Sequence, residues 1–448
     1  MSSTLKLPPG PKGSLLTGSL QPFADRRLDW LVEIVREYGS ICTFRLGPRR
    51  CVLVTDPDII EKVLVTDARH YIKHFGARMY KPLLGNGLVT SDGDFWLRQR
   101  RLAQPAFLRG RLPSYAPAMT ELADEVARGW QVGKRIDVAD EMSRLTGAIA
   151  LRTLFGASAI RDQEAYHAAH MVVLTLIHRR FRNLVNWPEW VPLPSHLRLK
   201  KALRHLNAII EGFIRDGRAR TAPSDDLLSM LLRAQDTDGS RMTDVQLRDE
   251  AMTLFLAGHE TTALTLSWTW YLLAQHPGIE AKLAAEWASV LGGRLPTPDD
   301  IPRLTFTEQV SQESMRLYPA VYLIGREPLM DVELGGYRVK KGTTVFFSQW
   351  VSHRDPEYFD DPDAFRPERW ADGLMKRLPK YAYYPFGGGP RVCIGNTFAM
   401  MEGVLLLATL GQRWRFTLDA DAKVTPWPTI TLKPAPGVPA TLQARVAG

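Results

Sequence analysis

From Thr243 to Gln275 the chain contains no proline and a single glycine, Gly258. Thr243-Asp244-Val245-Gln246 fits a capping box, in which the Thr and Gln side chains each bond the other's backbone N–H. The pattern predicts a helix that starts there and runs until His276-Pro277 stops it. At ~1.5 Å per residue such a helix is close to ~50 Å long. Its second half is mostly apolar, so it must cross the interior of a sizeable body.

Shorter helices are predicted over 58–64, 95–107, 119–130, 142–155, 160–184, 196–216, 225–234, 279–291, 307–317 and 396–411. Strand-like runs cover 38–46 and 50–54, joined at Gly47-Pro48, then 321–324, 331–334, 337–339, 343–347 and parts of 415–444. The stretch 70–93 reads as a glycine-rich loop. No repeat or low-complexity linker divides the chain. The expectation is one mainly α, α+β unit over residues 1–448. Three cysteines, Cys42, Cys51 and Cys393, make no disulfide framework and suit a reducing cytoplasm. The formal charge of +9 comes without a basic tail or nucleic-acid motif. An acidic protein partner is therefore favoured over nucleic acid, with an anionic membrane surface as runner-up. Residues 1–20 hold no long apolar run, so a soluble, monomeric chain without a transmembrane anchor is expected.

The chemistry concentrates in a few stretches. Phe386-Gly387-Gly388-Gly389-Pro390-Arg391-Val392-Cys393-Ile394-Gly395 is a loop whose glycines can pass close under a flat ligand. Cys393 stands just before the 396–411 helix, whose positive end favours thiolate. A thiolate held there suits haem iron and favours O–O cleavage. Trp96 and Arg100 lie four apart on one helical face, where both can donate to a carboxylate. On the long helix, Ala257-Gly258-His259-Glu260-Thr261-Thr262 sets an acid beside an alcohol, a short proton route. Thr261 can bond back to the Ala257 carbonyl and, with Gly258, open the helix. Glu313 and Arg316 form an i,i+3 pair, a type that contributes little when exposed.

Together these stretches resemble the cytochrome P450 family, in family order. Its Phe-x-x-Gly-x-Arg-x-Cys-x-Gly loop is matched by Phe386, Gly389, Arg391, Cys393 and Gly395. Its Trp-x-x-x-Arg pair is matched by Trp96 and Arg100, and its Ala-Gly-x-acid-Thr motif by Ala257, Gly258, Glu260 and Thr261. Phe365-Arg366-Pro367-Glu368-Arg369-Trp370 resembles the meander. The resemblance implies the P450 fold, a helix-rich core with a long helix over haem and a small β-rich region. It makes Cys393 the metal ligand, packs Phe386 near its sulfur, and places Ala257, Arg391 and Gly395 at the haem. Trp96, Arg100 and Arg326 would meet propionates. Glu260 and Thr261 would deliver protons. Ala257, Val321 and Leu323 become pocket candidates, and Glu313, Arg316 and Arg369 a structural triad. Ala257 replaces the Glu that esterifies haem in some fatty-acid hydroxylases, so haem b should be non-covalent.

Leu7-Pro8-Pro9-Gly10-Pro11 resembles the hinge that follows a membrane anchor in microsomal relatives. The helices over 160–184 and 196–216, with the Trp/Pro connector 186–194, resemble the family's lid. Arg179, Arg180, Arg182, Arg198, Lys200, Lys201 and Arg204 make it basic. The implied activity is insertion of one atom of O₂ into an apolar fatty acid, terpenoid or carotenoid. The stretch after Cys393 is too short for a fused reductase. Electrons should come from NAD(P)H through a separate ferredoxin or flavodoxin, docking on Arg98, Arg101, Arg109, Arg111, Lys376, Arg377 and Lys380. The alternatives are a peroxide-driven enzyme, an isomerase or dehydratase, or a haem sensor or electron carrier. The Glu260-Thr261 pair argues against them.

Overall fold

The structure is a computed structural model that describes residues 6–156, 169, 172–173, 175–176, 191, 193–221 and 225–445. The long helix spans Asp244–Gln275. Both arms of its capping box form: Thr243 N donates to Gln246 Oε1 at 2.9 Å, and Gln246 N to Thr243 Oγ1 at 3.3 Å. The helix runs unbroken through Gly258, against the expectation of an opened ladder. Thr261 Oγ1 does donate to the Ala257 carbonyl, at 2.6 Å. A carbonyl oxygen has two lone pairs, so it takes that bond beside the helical one.

The two halves of this helix are buried in different apolar clusters. Leu247, Met252 and Phe255 pack with Trp96, Leu154 and Leu206. Leu266, Trp270 and Leu273 pack with Met142, Trp287, Val404 and Leu405. Burying each such side chain contributes ~1.5–3 kcal/mol. The helices Val138–Phe155 and Asn396–Gly411 flank it. Where the clusters part, the back of the helix is pinned by polar bonds. Thr146 Oγ1 donates to the His259 carbonyl at 3.1 Å, and His259 Nε2 donates to the Ser143 carbonyl at 2.8 Å.

The largest sheet has five strands in the order Ile41–Leu46, Arg49–Val54, Thr344–Phe347, Ile324–Pro328, Tyr71–Lys73. At its edge Lys73 stands directly opposite Arg326. A hairpin, Thr425–Pro428 with Leu432–Ala435, lies against the long helix: Trp268 Nε1 donates to the Leu432 carbonyl at 2.9 Å. Helices dominate and strands gather in small sheets, the α+β arrangement the sequence implies.

Some expectations change. The first strand begins at Ile41 because a helix reaches Tyr38 and Gly39 turns the chain at φ 92°. Residues 70–93 carry the strand Tyr71–Lys73 and short helices. Residues 321–323 are not strand; pairing starts at Ile324. Buried Tyr322 is held by its hydroxyl, which donates to the Thr429 carbonyl at 2.6 Å, and not by a ladder. The predicted helix 160–184, with Arg179, Arg180 and Arg182, lies largely outside the described residues, as does most of the connector. The helix expected over 196–216 spans Pro194–Ala219. Among the described residues no helix is long and apolar enough to cross a membrane.

Glu313 and Arg316, on the helix Thr305–Leu317, are both 0% exposed. Glu313 accepts from Arg316 Nε and Nη2, Arg369 Nε and Trp370 Nε1, each at 2.9 Å, and from Arg366 N at 3.0 Å. Arg316 Nη1 also donates to the carbonyls of His353 and Pro362. The acid thus ties the meander to the helix core. Removing one partner leaves buried charge uncompensated, which costs about 3–5 kcal/mol. Glu313→Ala should lower unfolding free energy by that amount in denaturant titrations; a change under about 1 kcal/mol would contradict this role.

Candidate active site

Between its two buried halves the long helix presents Ala257, an exposed residue between the partly buried Leu256 and Gly258. Cys393 is exposed as well, yet its thiol is pushed up by burial. The two observations agree if the side chain lines an internal cleft: its surface is accessible, but protein surrounds it at longer range. The Gly395 N–H and the Arg100 guanidinium pull the thiol down without prevailing over desolvation. This corrects the expectation that the helix start alone favours thiolate. The bare chain favours the thiol, and a bound metal must displace the proton.

The cysteine loop is shaped by close approach. Cys393 N donates to the Phe386 carbonyl at 3.0 Å, closing the turn. Gly389 has φ +66°, and a Cβ there would lie 1.8 Å from the Leu64 carbonyl oxygen. No other residue fits. Arg100 Nη1 donates to the Val392 carbonyl at 2.9 Å, so the Trp/Arg helix Gly93–Ala103 holds the loop from the side. Trp96 is buried, with the Arg391 guanidinium 4.5 Å over its ring.

Arg391, Arg326 and Lys73 then converge. Arg391 Nη2 is 2.7 Å from Asp92 Oδ1. Among the described residues Lys73 and Arg326 have no ion-pair partner. Burial first, then Arg391, pulls Lys73 down to about 7 and Arg326 to about 10. Like charges directly opposite on paired strands are destabilising. Three cations of which only Arg391 is ion-paired, to Asp92, therefore suit a ligand with further anionic groups. The accessible thiol and this cationic group suit a haem with carboxylate substituents, which Cys393 could hold at iron and Trp96, Arg100, Arg326, Arg391 and Lys73 at its edge. Phe386 and Gly395 flank Cys393 in the chain, on the same loop.

The acid–alcohol pair is brought into contact with a group the sequence did not announce. Lys433 Nζ is 2.7 Å from Glu260 Oε1, and Thr431 Oγ1 donates to the same oxygen at 3.2 Å. The 425–435 hairpin therefore grips Glu260. Behind the helix, buried Glu402 is pushed up to about 8 by burial and bonded by Thr262. Val321 and Leu323 are partly buried on either side of Tyr322, on the segment leading to Arg326. Sequence reading missed Lys73, Asp92, Thr431 and Lys433. Lys73 was detectable: in Tyr71-Ile72-Lys73 it shares the inward face with Tyr71, an odd place for a cation. Lys433 gave no signal. A separate cleft of about 600 Å³, lined by Leu272, His276, Trp350 and Arg354, sits at the far end of the long helix, ~22 Å from Ala257.

The cytochrome P450 family profile matches residues 8–439. Cyclooctatin synthase of Streptomyces melanosporofaciens is 38% identical over 431 residues, 95% of this chain and 93% of that protein. Pentalenene oxygenase of Streptomyces avermitilis is 36% identical over 394 residues, 87% of each. Retinoic-acid-bound cyanobacterial CYP120A1 superposes with a TM-score of 0.88 at 26% identity, covering 99% of this chain and 100% of that one. The chain belongs to the cytochrome P450 family and is a haem-thiolate monooxygenase that puts one oxygen atom from O₂ into a hydrophobic substrate.

Proposed function

We propose that the substrate is a terpenoid, that Cys393 holds the haem iron, and that Glu260 and Thr261 supply the protons of oxygen activation. The carrying observation is an accessible Cys393 on its glycine loop, together with an acid–alcohol pair close to the likewise accessible Ala257 on the long helix. The substrate class is supported by the relatives named for cyclooctatin and pentalenene and by the retinoic-acid-bound fold neighbour. Bound haem supplies the redox chemistry of O₂. Substrate, O₂, two protons and two electrons yield the oxygenated product and water.

The chain's own residues do the rest. Ala257, Val321 and Leu323 give the substrate an apolar wall. Thr261 Oγ1, one residue along from Glu260, already donates to Ala257, so it must rotate to pass its proton outward. Glu260 can take a proton from the hairpin side, where Lys433 and Thr431 hold it, and return it toward Thr261. Lys433 thus orients the acid and competes for it.

Electrons are proposed to come from NAD(P)H through a separate acidic ferredoxin or flavodoxin. Arg98 and Arg101 share Asp236, Arg111 pairs with Asp225, and Lys380 with Glu61. Arg109, Lys376 and Arg377 are exposed without an ion-pair partner among the described residues, and are the stronger docking candidates.

A spectral binding screen tests the substrate. Terpenoid hydrocarbons and alcohols should shift the Soret band at micromolar concentration, where fatty acids of equal carbon number bind at least ~tenfold more weakly; the reverse order removes the terpenoid reading. Thr261→Ala should keep substrate affinity but lower product per O₂ consumed by ~10²-fold or more, with peroxide released instead; unaltered coupling takes Thr261 out of the proton route. Raising salt from ~0.05 to ~0.5 M should cut reductase-driven turnover severalfold and leave peroxide-driven turnover intact, whereas a salt-indifferent rate excludes charge-led docking.

A further inference from the structure

We propose that Asp249 and Glu250 form a two-acid latch that fixes the 85–91 loop on the long helix. Through Lys73 the latch is tied to the carboxylate edge of bound haem, so that haem loading and seating of this loop are one coupled event. The proposal rests on the haem reading above.

The loop is bound from both sides through its own backbone. Asn86 N donates to Asp249 Oδ2 at 2.7 Å, and Leu88 N to Glu250 Oε2 at 3.1 Å. The Leu88 carbonyl accepts from Lys73 Nζ, which also donates to the Ser91 carbonyl at 3.0 Å. Leu88 therefore joins an acid on the long helix to a cation on the sheet edge. Gln99 Nε2 fills the other Glu250 oxygen at 3.2 Å, linking in the Trp/Arg helix. The fit leaves no slack: a Cβ on Gly85 would lie 2.1 Å from Asp249 Oδ1, and one on Gly87 2.1 Å from Thr253 Oγ1. Leu88 packs in the cluster of Trp96 and Phe255, which partly buried Ile394 joins beside the cysteine, while Val89 is exposed.

Glu250 is 0% exposed and Lys73 8%. Burying either charge is costly unless it is paired and hydrogen-bonded. Facing Lys73 are Arg391, Arg326, Asp92 and Glu250; facing Glu250 are Asp249, Lys73 and the neutral Gln99. Burial moves Lys73 down and Glu250 up, both to about 7, so neither charge is secure in the bare chain. Haem carboxylates at Arg391 and Arg326 add negative charge beside Lys73 and hold it protonated. That strengthens its bonds to Leu88 and Ser91. By linkage, whatever seats the loop must equally retain the haem.

The test is hydrogen exchange of peptides spanning 83–92 with and without haem, alongside haem transfer to excess apomyoglobin. In the wild type, haem should raise protection of this segment by about tenfold. Glu250→Ala should abolish that rise and speed haem transfer by about tenfold, and Glu250→Gln, which keeps an acceptor for Leu88 N, should restore most of both. Gly87→Ala, which lifts the loop sterically with both acids present, should reproduce Glu250→Ala. Wild-type protection and haem retention in either Glu250→Ala or Gly87→Ala overturns the latch. The carbonyl band of the reduced protein separates the two readings: a variant with a thiolate-type band but an unaltered loop sinks the latch alone, while a wild type that takes up no haem sinks the reading beneath it.

Discussion

The rotation of one helix about its own axis is the constraint on which the site depends. Each residue advances an α-helix by about 100°, so a slip of one position would turn Ala257 off its accessible face and bring Leu256 or Gly258 in its place. Apolar packing at the two ends limits such a slip but does not specify it, because hydrophobic contact is non-directional. The polar bonds at the middle do specify it. His259 reaches the Ser143 carbonyl, Thr146 reaches the His259 carbonyl, and Thr262 reaches Glu402, all behind the helix. With the back fixed, Ala257 stays accessible on the opposite side, and Glu260 meets the hairpin at Lys433.

Much of this architecture is legible in the residues because it is local. The capping box at Thr243 and Gln246, the stop at His276-Pro277 and the turn-forming Gly387 to Gly389 act through neighbours in the chain, and neighbours can be read. The Asn396–Gly411 helix appears with its expected bounds for the same reason. What escaped reading is non-local. Lys433 meets Glu260 from the far end of the sequence, and Asp92 meets Arg391 across the Trp/Arg helix. Val321 to Leu323 looked like a strand by composition, but strand propensity is largely a statement about context. There the context is a buried Tyr322 anchored at Thr429. The Cys393 proton is a further case: helix position argues one way, desolvation the other, and only the fold shows which prevails.

The buried charges divide into two kinds, and the division separates scaffold from site. Glu313 accepts five hydrogen bonds, and its partner Arg316 spends its remaining donors on carbonyls. That network is complete; nothing is gained by adding a ligand to it, and it can only be broken. The group around Lys73, Arg326 and Arg391 is the opposite. Among the described residues only Arg391 of the three is ion-paired, to Asp92, and burial weakens their hold on protons.

An incomplete network of that kind costs stability in the bare chain, and the cost is recovered only when an anion arrives. In the proposed site the same logic extends to Cys393, whose thiol would give up its proton to a bound metal. In that proposal sulfur and cationic rim would take two parts of one ligand, a metal and its carboxylates, and Arg100 bonds the Val392 carbonyl next to the cysteine. Under the proposal, binding at either end would improve the other: seating the loop through Arg100 would position the sulfur, and filling the rim would relieve the repulsion between Lys73 and Arg326, paired opposite each other. A fold whose structural ion network is saturated while its site network is unsaturated can hold its shape without the ligand and still bind it tightly. The long helix supplies the pair proposed as the proton source, held by packing and by the hairpin at Lys433, with no contact to the ligand needed to fix it.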